Sequence, residues 1–98
     1  MLLLTKFRIN GHSMSPFLKD KDLIIASYIP FFFKNPKIND VVVVKYDNKI
    51  LVKRVKKIKE NKYFIKGDNK NDSWDSSSFG LVKKKDILGK FLFKLKNA

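Results

Sequence analysis

Two side chains in this sequence have the chemistry of a nucleophile and its base without help from a thiol or a metal. Ser13 stands in Gly11-His12-Ser13-Met14-Ser15-Pro16, directly after an apolar, alternating stretch. Glycine at position 11 permits a positive φ or a close backbone approach, and proline at position 16 fixes the exit from the turn. A serine projecting from such a turn has backbone N–H groups beside it, as an oxyanion site requires. Serine is a poor nucleophile until a base takes its proton. His12 is adjacent, but neighbours in an extended segment point to opposite sides, so His12 is expected to face solvent or an edge. Lys53 is the better base. In Ile50-Leu51-Val52-Lys53-Arg54-Val55 a period of two puts Leu51, Lys53 and Val55 on one face. Desolvation disfavours an ammonium ion and lowers a lysine's pKa, which makes lysine a usable base near neutral pH. Taken separately, each residue has a plainer reading. A serine between Gly and Pro is a turn residue, and a lysine stem packs on apolar surface with its head in water.

A third polar segment runs Gly67-Asp68-Asn69-Lys70-Asn71-Asp72-Ser73-Trp74-Asp75-Ser76. Asx turns account for such a loop. The alternating ligands and closing glutamate of an EF-hand are missing, which argues against calcium.

Composition narrows the classes. The chain has 98 residues, 44% of them hydrophobic and 13% aromatic, which supports one core rather than a disordered segment. A single domain over residues 1–98 is expected. The absence of cysteine excludes disulfides, zinc–thiolate sites and thiol catalysis. With one histidine, an imidazole-based metal site is not expected, and no cofactor is implied. The net charge of +13 suits an anionic partner: nucleic acid, anionic lipid or an acidic protein. The lysines are spread along the chain rather than gathered in a tract, so they serve equally as default solvent-facing residues. Lys6 and Arg8 interrupt the opening Leu2-Leu3-Leu4 run. A membrane span needs ~20 apolar residues and a secretory core needs ~7–15. The expectation is a cytoplasmic chain, soluble or peripheral at a membrane.

The elements that must position these residues read as mainly β. Leu3-Thr5-Phe7-Ile9 alternates with Leu4-Lys6-Arg8 as a half-buried strand does. Further strands are predicted over Asp22–Tyr28, Val41–Val44, Ile50–Val55, Lys62–Lys66 and Ile87–Leu95. Asp47-Asn48 is the predicted hairpin turn. Residues 28–38 and 67–80 read as irregular. Val82–Asp86 has room for one helical turn, and no long helix shows a 3.6-residue period.

Together the three polar segments resemble the signal peptidase I family. Gly11-x-Ser13-Met14-x-Pro16 is similar to its nucleophile box, Val52-Lys53-Arg54-Val55 to its base box, and Gly67-Asp68-Asn69 with Ser73-x-Asp75-Ser76 to its third box. Asp22 and Asp40, each followed by an apolar run, also match. The order is right and the resemblance spans nearly the whole chain. It implies a serine endopeptidase with a compact β-domain, in which Ser13 attacks the scissile carbonyl and Lys53 takes its proton. Ser73 would orient the lysine, Asp75 would hold the third box, and the Ser13 N–H would donate to the oxyanion. Gly11 falls where the family can carry a hydroxyl donor. The substrate peptide would lie extended between Phe7, Ile9 and Asn10 on one side and Ile50 and Val52 on the other, by strand addition.

The departures are specific. Phe17 replaces a small hydroxyl residue, Lys21 and Asn39 replace turn glycines, Lys70 replaces an arginine, and Ser77 replaces the arginine that pairs with the Asp75 position. A short, anchorless chain is most similar to the proteases that mature nickel-type superoxide dismutase. The implied substrate is that precursor and the implied reaction is removal of its leader. Alternatives are general signal peptidase-like processing at a membrane surface, or a catalytically weak, basic membrane-binding module using Phe31-Phe32-Phe33. Nucleic-acid binding through Lys62-Tyr63-Phe64 is disfavoured, because no recognised module motif accompanies it.

Overall fold

A computed structural model describes residues 4–71 and 76–96. Seven strands form one mainly antiparallel sheet: β1 (Thr5–Arg8), β2 (Leu23–Ser27), β3 (Val41–Tyr46), β4 (Lys49–Lys59), β5 (Lys62–Lys66), β6 (Val82–Lys83) and β7 (Ile87–Lys96). Their spatial order is β1-β2-β7-β3-β4-β5-β6. Two one-turn helices interrupt them, α1 (Pro30–Phe33) and α2 (Ser76–Phe79), and a 3-10 turn covers Lys84–Asp86.

The centre of the sheet is apolar on both faces, and β3 shows why. Val41, Val42, Val43 and Val44 are all buried. Val42 and Val44 join Val55, Tyr63, Ile65, Val82, Ile87 and Phe31 in one core cluster. Val41 and Val43 join Ile9, Met14, Leu18, Ile24 and Ala26 in the other. A continuous apolar run instead of alternation is the sequence mark of a strand covered on both sides. The β-branched side chains also suit the pleat.

Two hairpins set the register around the site. Tyr46 pairs with Lys49 across Asp47-Asn48, and Lys59 pairs with Lys62 across Glu60-Asn61. All four turn residues have positive φ, between 50° and 64°. Two consecutive left-handed residues make the primed turn whose twist matches that of the flanking strands.

The structure departs from the sequence reading in several places. Strand β4 continues past Val55 to Lys59, because its second half gains β5 as a partner. Residues 28–38 contain α1, started by Pro30 in its first turn, where a missing N–H costs nothing. Residues 67–80 contain α2. The expected helical turn at Val82–Asp86 divides into β6 and the 3-10 turn, since Val82 pairs with Tyr63 and is drawn into the sheet.

Candidate active site

Ser13 is held by the loop between β1 and β2. Gly11 has φ +91°, and its N–H donates to Asp20 Oδ1 at 2.7 Å. The loop closes at its neck, where Ile9 N–H donates to the Asp22 carbonyl at 2.8 Å and Lys21 N–H to the Ile9 carbonyl at 2.7 Å. Within the loop, Ser15 N–H donates to the His12 carbonyl and Leu18 N–H to the Met14 carbonyl. Met14 and Leu18 are buried in the core cluster that contains Val41 and Val43. Anchoring Met14 leaves Ser13 half-buried at the rim and turns His12 out to solvent, as the alternation argument expects.

Lys53 comes from β4 and is 3% exposed. It pairs across the ladder with the fully buried Val42, and Val55 on the same face lies in the core.

These residues converge. One cleft of about 160 Å³ is lined by Phe7, Ile9, Asn10, Ser13, Ile50, Val52 and Lys53. Its walls are sheet edges. Strand β1 ends the strand order, and the β4–β5 pairing begins only at Arg54, so Ile50 to Val52 lie ahead of it with β3 on one side. An extended segment entering this cleft would meet strand backbone on both walls. Gly11 shapes the turn and is not among the cleft-lining residues.

The third segment locks the serine loop from below. A Cβ on Gly67 would lie 2.5 Å from the Ser13 carbonyl oxygen, so only glycine lets the chain pass there. Two residues on, Asn69 N–H donates to that same carbonyl at 2.8 Å, and Asn69 Nδ2 donates to the His12 carbonyl at 3.0 Å. Between them, Asp68 accepts two hydrogen bonds of 2.9 Å from Arg54 Nε and Nη2. This is a planar fork-to-carboxylate pair. Arg54 Nη1 also reaches the Asn39 carbonyl at 3.1 Å, and the guanidinium lies 4.9 Å from the Phe17 ring centroid. The hydrogen bonds to Asp68 push Arg54 above the usual guanidinium pKa; burial opposes this and the Asp68 charge adds to it.

The clamp formed by Arg54, Asp68 and Asn69 was not singled out from the residues. Its only sequence signal is that Arg54 follows Lys53 and that Asp68 and Asn69 follow Gly67. The packing of Phe17 on Arg54 left no signal at all. Ser73 and Asp75, expected to orient Lys53 and to hold the third segment, lie outside the described residues. Ser76 is buried and accepts a hydrogen bond from Ile65 N–H at 2.8 Å, fixing the start of α2 to β5. Ser77 is exposed on that helix. Among the described residues no group of three His, Asp or Glu side chains is placed to hold a metal ion, and no helix is long and apolar enough to cross a membrane.

Comparison with known proteins adds two findings. The family model described as signal peptidase, peptidase S26, matches residues 1–58 and 55–95. A signal peptidase I from Buchnera aphidicola subsp. Schizaphis graminum is 41% identical over 56 residues, which cover 57% of this chain and 17% of that relative. The matched region is thus a small part of the relative's length.

Proposed function

The chain belongs to the signal peptidase, peptidase S26, family, and on that premise we propose that it is a serine endopeptidase working through a Ser13–Lys53 dyad. The observation that carries this reading is the shared cleft: a half-buried serine on a tight loop and a buried lysine on the facing strand line one groove between two strand edges. Lys53, as the neutral amine, accepts the Ser13 hydroxyl proton while Oγ attacks the scissile carbonyl. The Ser13 N–H stabilises the oxyanion. The proton passes from Lys53 to the departing amine, leaving an acyl-enzyme on Ser13. Water, deprotonated by Lys53, then releases the acyl group. Ser73 orients the lysine amine, and Asp75 holds the third segment. Phe7, Ile9, Asn10, Ile50 and Val52 bind the substrate backbone and its side chains.

The substrate class is a precursor protein that loses an N-terminal leader, and the specific substrate we propose is the precursor of a nickel-type superoxide dismutase. Purified wild-type chain, Ser13→Ala and Lys53→Ala are incubated with that precursor and with a generic signal-peptide substrate, and product masses are read. Trimming of the precursor by wild type alone supports dyad and substrate together. Trimming of the generic substrate alone keeps the dyad and overturns the specific substrate. Failure on both substrates overturns the catalytic reading. A role at a membrane surface has its own support, because Phe32 and Phe33 are exposed while Phe31 is buried.

A further inference from the structure

The second half of β4 and its partner β5 carry a charge pattern that neither the core nor the Ser13 cleft uses. Arg54 stands directly opposite Lys66, and Lys59 opposite Lys62. Like charges set across a ladder destabilise a sheet, so this hairpin keeps its lysines at a cost to the fold. A register shift between Val55 and Lys57 concentrates them further. Such a bulge re-aims side chains, and Lys56 and Lys57 line one groove although they are neighbours in sequence.

That groove has a volume of about 940 Å³ and lies beside the floor of the Ser13 loop, sharing Gly67 with it. Lys56, Lys57, Lys66 and Lys70, all exposed, line it together with Arg54. Among the described residues Asp68 is the only carboxylate in its lining, and both oxygens of that carboxylate are taken by Arg54. None of the four lysines forms an ion pair with a described residue. Phe64 is the only aromatic ring in the described lining, half-buried, with Lys57 Nζ 5.9 Å from its centroid. Tyr63 belongs to the opposite face, 2% exposed in the core.

We infer that this groove binds an acidic segment of the polypeptide that the chain cuts. Charge selects a carboxylate-bearing occupant, since four exposed ammonium groups line a groove whose own acid is already paired. Nucleic acid fits less well. Stacking needs an open ring face, whereas Lys57 lies over the ring of Phe64 and Tyr63 is buried. Position ties the segment to the substrate. Residues 50–53 of β4 line the Ser13 cleft, and residues 54, 56 and 57 line this groove. A polypeptide extended along β4 passes from one to the other within roughly 13 Å, about four residues of strand. The assignment to a substrate rests on the peptidase reading, but the binding itself uses neither Ser13 nor Lys53.

The test reads binding and cleavage separately. A fluorescein-labelled, glutamate-rich peptide and its glutamine counterpart are titrated with the full chain carrying Ser13→Ala, and anisotropy is followed. The glutamate peptide is expected to bind ~10-fold more tightly or better, and Lys57→Glu/Lys66→Glu to remove that preference. Lys6→Glu/Lys85→Glu makes the same charge change at exposed positions on β1 and the 3-10 turn and is expected to weaken binding by less than roughly threefold. Cleavage then compares soluble signal-peptide substrates that carry either stretch. Wild type is expected to show a KM ~10-fold lower for the glutamate substrate at unchanged kcat, and Lys57→Glu/Lys66→Glu to lose that difference while still cleaving the glutamine substrate. Lys57→Gln/Lys66→Gln, which removes repulsion instead of adding charge, repeats both arms should thermal melts show that the reversal unfolds the chain. Absence of a glutamate preference in binding overturns the proposal. Equal losses for both charge reversals overturn it in favour of diffuse attraction. Tighter binding of an oligothymidylate of equal charge, lost on Lys57→Glu/Lys66→Glu, reassigns the groove to nucleic acid. Peptide binding with equal KM for the two substrates overturns the link to the substrate. Cleavage of neither substrate by wild type overturns the peptidase reading and that link, while the binding result stands by itself.

Discussion

The loop that carries Ser13 and the turn that carries Phe33 both lie in connections leaving a strand, and the chain treats them in opposite ways. The Ser13 loop is closed on itself at its neck by Asp22 and tied to the rest of the molecule by residues far away in sequence: Asn69 on the carbonyls of residues 12 and 13, and Gly67 packed under residue 13. The backbone hydrogen bonds at α1 are local, from Phe31 N–H to the Tyr28 carbonyl and from Lys34 N–H to the Pro30 carbonyl, and of its helical residues only Phe31 is buried. Long-range polar contacts fix a geometry to within tenths of an ångström, as attack by a hydroxyl on a carbonyl requires. A surface that meets a fluid partner needs chemical character rather than exact placement. The contrast therefore separates residues whose alteration should damage a reaction from residues whose alteration should damage an encounter.

The sharpest way to break the contrast is Gly67→Ala. The added methyl would sit 2.5 Å from the Ser13 carbonyl oxygen and 3.2 Å from the Ser13 Cβ. Both belong to a loop anchored through Met14 and Leu18, so the strain has nowhere soft to go. Overpacking of this kind costs about 1–3 kcal/mol, and on the proposed dyad a displacement of Ser13 by about 1 Å should lower turnover by ~100-fold. Peptidase assay with a thermal melt checks both. Near-normal turnover would show that the loop yields more easily than its anchors imply.

Next in size is the Arg54–Asp68 pair. Both side chains are largely but not fully buried, at 20% and 17% exposure. Arg54→Ala is therefore expected to cost about 1–3 kcal/mol, since a fork-shaped pair exceeds a surface ion pair but remains partly screened by solvent. Asp68→Ala should cost a similar amount, and the double substitution less than the sum, because either change alone already breaks the pair. Arg54→Lys should recover little, as an ammonium cannot make both bonds of the fork. Denaturant unfolding of the four proteins measures the coupling. Additive losses would mean that Arg54 acts through Phe17 and Asn39 rather than through Asp68.

Much of this was legible in the sequence, for identifiable reasons. Period-two alternation placed β1, and the apolar runs Leu23-Ile24-Ile25 and Val41–Val44 placed β2 and β3, because burial follows side-chain parity in a half-covered strand and is continuous in one covered on both faces. The same parity put Lys53 on the face of Val55, where the structure has it buried. The hairpin at Asp47-Asn48 was legible from residue types that tolerate positive φ. Glu60-Asn61 was not, because glutamate has no such preference and its turn is set by β4–β5 pairing. The short helices were hidden for a related reason. One turn carries no periodicity, and α1 and α2 owe their place to Phe31 and Ser76, which the core takes up. Arg54, Asp68 and Asn69 stood inside the quoted segments, but their pairing was not legible because the partners are 14 or more residues apart and complementary only in three dimensions.

A smaller effect of opposite sign comes from Lys21. It is exposed at φ +73°, between two backbone contacts that hold the neck of the Ser13 loop: its N–H donates to Ile9, and its carbonyl accepts from Arg8 Nη1 at 2.9 Å. Left-handed backbone costs a residue with Cβ roughly 1–2 kcal/mol. Glycine removes that cost but adds about 0.4–1 kcal/mol of unfolded-state entropy. Lys21→Gly should therefore raise stability by about 0.5–1 kcal/mol, read by chemical denaturation, while leaving both backbone contacts in place. Asn39→Gly at φ +80° should gain less, because asparagine tolerates this region better.

Phe33→Ser completes the series with an effect close to zero on the fold. A side chain 82% exposed contributes little to the core, and substitutions at such positions stay within about 0.5 kcal/mol. Thermal melting and cleavage of a soluble peptide should both match wild type, even though Phe33 is a large apolar residue in a run of three. A loss of stability beyond that range would place Phe33 in the core in solution and merge the two regions into one packed unit. Unchanged stability and cleavage would leave its exposure to be explained by something outside the fold, which is the premise of the proposed role at a membrane surface.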